Sequence, residues 1–237
     1  MSAPLSGLTI GITADRRWQE QADLFVKRGA AILHGPTLRT VELTRDAGLR
    51  TITEALIARP PDYLIATTGM GMRLWFAAAR EWGVEGPLLT ALAATKVIAR
   101  GPKTTSALRA AGIEPLWQAP SERMDDIVEY LSAIAGVGGA RVALQLFDPE
   151  GHRSTAMLRA VAGELLEIPV YQWLLPVDPG PAQRLIEATI TGHVAAVTFT
   201  SQPAVHSMFR LAGDGQTAPL AAAFNSGRVL PACVGPV

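Results

Sequence analysis

The chain has 237 residues, 49% of them hydrophobic and 18% charged, which supplies apolar material for buried strands and excludes a disordered polymer. Lys plus Arg and Asp plus Glu both number 21, so no net field draws the chain to nucleic acid or to an acidic membrane, and any anionic ligand has to be met by local features. The single cysteine, Cys233, excludes an internal disulfide and reads as a buried, inert thiol in a reducing compartment.

Strand-like and helix-period segments alternate along almost the whole chain, the pattern of a parallel α/β protein. Residues 8–13 read as a strand and 16–28 as an amphipathic helix that stops at Gly29. Residues 30–43 read as an extended connector broken by Gly35-Pro36. A helix over 48–58 is ended by Pro60-Pro61, because proline has no amide to donate and restricts the residue before it. Strand and helix pairs follow at 63–67 with 72–82, 96–100 with 104–111, 114–117 with 122–135, and 141–147 with 153–162. Residues 167–177 are extended again. Helix 182–190, strand 195–200, helix 203–211 and strand 229–234 complete the pattern.

One internal repeat organises these pieces. Tyr63-Leu-Ile-Ala-Thr-Thr68 enters a helix as Ala196-Val-Thr-Phe-Thr-Ser201 does, and at nearly equal intervals each copy reaches a second strand ending in Gly-Pro, at Gly101-Pro102 and Gly235-Pro236. Two lobes on one plan account for this. The middle of the chain holds enough strands for a complete sheet and the last section too few, so the first strand is expected to join the C-terminal lobe. The expected architecture is two flavodoxin-like parallel-sheet lobes joined by a two-stranded hinge: 1–37 with 176–237, and 38–175. A ligand would lie where the carboxyl ends of the strands point.

The polar residues at those ends are Thr67, Thr68, Arg100 to Thr104, Asp148, His152, Arg153, Thr200, Ser201, Gln202 and Gly235. Several precede helices, whose free amides and dipole favour carboxylates or phosphates. Singly, Thr68, Lys103 and Ser201 read as helix caps; their repetition in both lobes points to a shared anion site. Gly69-Met-Gly71 imitates a dinucleotide fingerprint but has Leu74 at the third glycine and no suitably placed acid, so it is read as a decoy. His34, His152, His193 and His206 have no metal-ligand spacing, and Tyr171 stands in the extended Val170-Tyr-Gln-Trp173 segment.

The hydroxyl pairs in both halves, Gly101-Pro-Lys-Thr-Thr105, Val170-Tyr-Gln172 and the closing Cys233-Val-Gly-Pro236 together resemble the uroporphyrinogen-III synthase family over essentially the full length. The resemblance implies a cyclising lyase of porphyrin and heme biosynthesis, which closes hydroxymethylbilane with inversion of the terminal pyrrole ring and loss of water. Residues 1–7 lack the basic and apolar stretches of a signal peptide and no apolar segment approaches about 18 residues, so a cytoplasmic protein is expected, and a monomer. The resemblance implies no metal and no cofactor. Tyr171 would be the catalytic residue, a general acid to the leaving hydroxyl, and the substrate's carboxylates would be bound by Thr67, Thr68, Gly69, Gly101, Lys103, Thr104, Arg153, Thr200, Ser201, Gln202 and Gly235. Arg73 is a further candidate cation.

The chain departs from the family pattern at Ala14-Asp15, where many members carry arginine. It also ends at Val237, where members continue with a helix and strand, so the C-terminal lobe is expected to extend further. Some bacterial relatives add a DNA-binding winged helix. The alternative reading is therefore a tetrapyrrole- or anion-sensing input domain of a regulator.

Overall fold

In chain order the first elements are β1 (Thr9–Ile12), α1 (Trp18–Val26), β2 (Ala31–His34), β3 (Arg39–Glu42) and α2 (Ala47–Ala58). Next come β4 (Tyr63–Ala66), α3 (Gly69–Glu81), α4 (Glu85–Ala93), β5 (Lys96–Ala99), α5 (Pro102–Ala110), β6 (Trp117–Gln118) and α6 (Met124–Ser132). The last are β7 (Arg141–Leu146), α7 (Arg153–Val161), β8 (Glu164–Pro169), β9 (Tyr171–Leu174), α8 (Gly180–Thr191), β10 (Ala196–Phe199), α9 (Gln202–Asn225) and β11 (Leu230–Cys233). This is a computed structural model that describes residues 3–134, 137–146 and 153–234, with Arg153 and Ser154 described by their backbone alone.

The chain forms two compact units. One comprises the residues up to Thr40 and those from Trp173 on; the other is Val41–Gln172. Strands β3 and β9, which carry both chain crossings, pair as a two-stranded sheet.

In the Val41–Gln172 unit the sheet runs β6-β5-β4-β7-β8, with every pairing parallel. The chain starts at the middle strand, adds β5 and β6 on one side, then returns to add β7 and β8 on the other, so the order reverses between β4 and β7. Ligands of open parallel sheets bind at the carboxyl ends of strands at such a reversal. Strands β4 and β7 are buried at every position, as covered central strands must be, and Ile65, Ile98, Val142 and Leu144 form a core with Ile127, Leu131 and Leu158 from the helices.

Local chemistry sets the ends of the elements. Asp46 caps α2, its Oδ1 accepting from the amides of Gly48 (2.8 Å) and Leu49 (3.2 Å). Pro102 opens α5 at a position whose amide needs no helical partner. Trp75, fully buried, donates its indole N–H to Thr53 Oγ1 at 2.9 Å, which satisfies the one polar atom of the largest core side chain.

The other unit has a parallel sheet of order β11-β10-β1-β2, so β1 joins the C-terminal strands. Its positions correspond to β5-β4-β7-β8, and in both units two helical stretches separate the paired strands: α3 and α4 in one, the two arms of α9 in the other. Gly213 (φ 63°, ψ −179°) breaks α9 between those arms, a conformation that suits a residue without Cβ.

The sequence reading is corrected at several points. Residues 31–34 are a sheet strand in register with β1, Ile32 opposite Ile10, and residues 164–169 are the edge strand β8 beside β7. Residues 31–34 lie inside the connector read over 30–43, and of β8 only 167–169 fall in the segment read as extended, because edge strands of mixed burial lack the apolar run of a central one. Helix α4 was missed, residues 83–95 having been left unassigned; its Pro87 lies in the first turn, where a helix tolerates proline. Helix α3 begins at Gly69, three residues earlier than its apolar period implies. Cys233 is exposed, because β11 is an edge strand with little cover.

Candidate functional site

At the reversal between β4 and β7 the strand ends are locked together by one side chain, Gln145. It is completely buried, and its Oε1 accepts from the backbone amides of Thr67 (3.3 Å) and Thr68 (2.9 Å). The hydroxyl of Thr67 donates to the Gln145 carbonyl at 2.7 Å, and Gln145 Nε2 donates to the Leu146 carbonyl. With two amides facing one atom of the carboxamide and a carbonyl facing the other, the orientation of Gln145 is fixed by its partners.

Thr68 caps α3 by accepting from the Gly71 amide at 3.0 Å. The same oxygen lies 3.3 Å from Gln145 Oε1, to which it donates, and 3.3 Å from the phenol of Tyr171, from which it accepts. Tyr171 is 1% exposed. A hydrogen-bonded chain therefore runs Tyr171 to Thr68 to Gln145.

Arg100, at the end of β5, donates its backbone amide to the Ala66 carbonyl, which sets it beside Thr67 on the neighbouring strand. Burial pushes the Arg100 guanidinium below its usual value, opposed by the negative charge that Tyr171 and Glu122 can present. Glu122 has a left-handed backbone (φ 59°), uncommon for a residue with a side chain. Its Oε2 comes to 2.7 Å from where a Cβ on Gly101 would stand. The start of α5 thus has a carboxylate over it, as the dipole favours.

The glycines that imitate a dinucleotide loop serve packing. A Cβ on Gly69 would stand 2.3 Å from the Lys103 carbonyl, and one on Gly71 would stand 2.4 Å from Gln145 Nε2. The close approach of α3 to α5 and of α3 to Gln145 requires both.

Of the residues singled out by sequence, Thr67, Thr68, Gly69, Gly101, Lys103, Thr104 and Tyr171 fall in this unit. Thr67 and Thr104 are buried and Lys103 is exposed. The amides of Thr67, Thr68 and Gly71 are already taken inside the protein, so they are not open donors in this state. Thr200, Ser201 and Gln202 belong to the other unit, at the start of α9, which has Pro203 in its first turn and no side-chain cap at Ser201. There the residue in register with Gln145 is Thr13, whose hydroxyl turns back to the Thr198 carbonyl at 2.7 Å. Gly235, Asp148 and His152 lie outside the described residues, as does the side chain of Arg153.

His34 is stacked on Trp18 with ring centroids 4.0 Å apart, and His193 Nδ1 lies 2.7 Å from Thr191 Oγ1, local contacts in both cases. Among the described residues no cluster of His, Cys, Asp or Glu could hold a metal ion, and no helix is long and apolar enough to cross a membrane. The sequence reading missed Gln145. Its signal was a lone amide in the apolar run Arg141-Val-Ala-Leu-Gln-Leu146, since a polar side chain in a buried strand needs partners.

The comparisons agree with this architecture. A Bacillus subtilis (strain 168) relative, the uncharacterized protein YjjA, is 28% identical over 241 residues, covering 100% of this chain and 87% of the relative. A Methanothermobacter thermautotrophicus protein named as a candidate uroporphyrinogen-III synthase is 29% identical over 208 residues, 84% of this chain and 75% of the relative. A crystal structure of a mutant uroporphyrinogen III synthase from the extremely thermophilic bacterium Thermus thermophilus superposes with a TM-score of 0.80 at 28% identity, covering 97% of this chain and 85% of that one. The family model Uroporphyrinogen-III synthase HemD matches residues 19–237, and this chain belongs to the uroporphyrinogen-III synthase family, cyclising lyases of tetrapyrrole biosynthesis.

Proposed function

We propose that this chain closes hydroxymethylbilane to uroporphyrinogen III with Tyr171 as the general acid. The observation that carries this assignment is the Tyr171 phenol, held as a donor to Thr68 at the strand reversal of its unit and close to the Arg100 charge. In the first step a pyrrole nitrogen lone pair expels the terminal hydroxyl, which leaves as water with the phenolic proton. The resulting cation is attacked by the substituted α-carbon of the last ring, giving a spiro intermediate. That intermediate reopens at the other bond and closes again with the ring inverted. The proton lost when the ring regains aromaticity returns to the phenolate, so the enzyme ends as it began.

Arg100 supports proton release, because a guanidinium beside the phenol favours its ionised form, and it remains charged at neutral pH. Lys103, exposed at the start of α5, and Thr200, Ser201 and Gln202 at the start of α9 are the proposed carboxylate contacts, and a substrate carboxylate at α5 would take the place Glu122 holds over that helix start. Thr67, Thr68 and Gly69 contribute by placing Tyr171 and packing α3; Thr104, Arg153, Gly235 and Arg73 stay in the proposed contact set. A monomer working in the cytoplasm without a cofactor belongs to the same proposal.

The experiment is Tyr171→Phe. Loss of one desolvated hydrogen bond to a leaving group is worth about 1–3 kcal/mol, roughly 5- to 150-fold in rate, with the fold retained. A variant that forms isomer III at the unchanged rate removes Tyr171 from the chemistry.

A further inference from the structure

We infer that Gln145 is a positioning residue for the reaction, which acts by fixing the direction of the Thr68 hydroxyl so that Tyr171 is held as a proton donor. The inference rests on the proposed role of Tyr171. It comes from counting protons at Thr68 Oγ1. That oxygen has one hydrogen, and three groups lie around it: the Gly71 amide, which can only donate, Gln145 Oε1, which can only accept, and the Tyr171 phenol, which can do either.

With Gln145 held through Nε2 to the Leu146 carbonyl and through Oε1 to two amides and the Thr67 hydroxyl, the Thr68 proton has an acceptor in Oε1 at 3.3 Å, a contact as long as its own with the phenol. The phenol then has to donate. At 3.3 Å its bond to Thr68 is long for a hydroxyl pair, so a substrate oxygen that approaches more closely takes the proton's direction from Thr68. Without the Gln145 acceptor, the Thr68 hydroxyl turns its proton to the phenolic oxygen, and Tyr171 presents a lone pair where it should present a proton.

Gly71 belongs to the same device. Any larger residue would enter the space of the Gln145 carboxamide, 2.4 Å from Nε2. The corresponding position of the other unit, Thr13, sends its hydroxyl back to a strand carbonyl, so this polarity-setting contact belongs to the unit that contains Tyr171.

The test is a double-mutant cycle of Gln145→Met and Tyr171→Phe, with isomer III formation from hydroxymethylbilane as the readout. Gln145→Met is expected to lower kcat about tenfold with KM changed by less than about twofold, and to cost less than about twofold when Tyr171 is already Phe. Gln145→Glu, whose buried neutral carboxyl keeps a carbonyl for the amides and an O–H for Leu146, is expected to recover most of the rate. Should Gln145→Met not fold, Thr68→Val takes its place in the cycle, with Thr68→Ser expected to stay close to the parent. An unchanged kcat for Gln145→Met, or losses that multiply with Tyr171→Phe, would overturn the inference. An unchanged rate for Tyr171→Phe by itself is a different failure, that of the proposed function.

Discussion

Replacing Gly71 by Ala tests how tightly the strand reversal is built. The new methyl would stand 2.4 Å from Gln145 Nε2, 2.6 Å from its Cδ and 2.8 Å from its Oε1, all below any normal contact. Gln145 cannot swing into solvent, since it is completely buried and surrounded by the ends of β4 and β7. Either α3 shifts outward, which overpacking data put at about 1–3 kcal/mol, or the carboxamide leaves the amides of Thr67 and Thr68, which costs about 1–3 kcal/mol for buried donors left unpaired. The loss is expected at about 2 kcal/mol, together with slower turnover through the displaced Thr68. Gly86→Ala is the control. Gly86 lies in the first turn of α4 with nothing within 4 Å of an added Cβ, so helix propensity should leave stability unchanged or raise it by up to about 1 kcal/mol. Urea denaturation followed by circular dichroism compares the three proteins. A Gly71→Ala protein as stable and as fast as the parent would refute the account of Gln145 as a rigid, fully engaged side chain.

Two further substitutions probe neighbouring parts of the unit. Thr53→Val leaves the Trp75 indole N–H buried without its acceptor and should destabilise by about 1–3 kcal/mol in the same urea experiment, without an effect on isomer III formation in the folded protein. Gly101 has an extended backbone (φ −167°), and the three atoms nearest an added Cβ all belong to the Glu122 side chain, whose end can move. Gly101→Ala should change the unfolding free energy by less than about 0.5 kcal/mol in the same urea experiment, in contrast to Gly71→Ala.

The contrast between Gly71 and Gly101 also bears on what the sequence disclosed. The central strands β4, β5, β7 and β10 were legible because a strand covered on both faces is an apolar run, and the Thr-Thr and Thr-Ser turns were legible because they follow such runs at matching places in two copies. Tyr171 was noticed through its place in the extended segment and given a catalytic role by the family resemblance; its own sequence context favours packing. Gln145 ties Thr67, Thr68 and Leu146 together and was not seen, since its partners Thr67 and Thr68 lie far away in sequence and meet it only once β7 returns beside β4. Edge strand β2 was taken for a connector and β8 was recognised only over 167–169, as extended chain, for a related reason: their strand character comes from pairing with β1 and β7, and their own residues alternate too weakly to announce it. The second arm of α9 was lost behind Gly213, Gly215 and Pro219, residues that suggest loop wherever tertiary packing is unknown, although Leu220 and Ala223 are fully buried against the sheet.

The claim on which the rest depends is that this chain directs ring closure and does not merely bind a tetrapyrrole. Hydroxymethylbilane left in water closes to isomer I, so separating the oxidised products after incubation reads the enzyme's contribution directly. The account predicts isomer III as the main product, in proportion to protein added, and a rate of its formation roughly 5- to 150-fold lower when Tyr171 is Phe, with the share of isomer I rising accordingly. Isomer I alone, formed at the rate of the protein-free reaction by correctly folded protein, would contradict it.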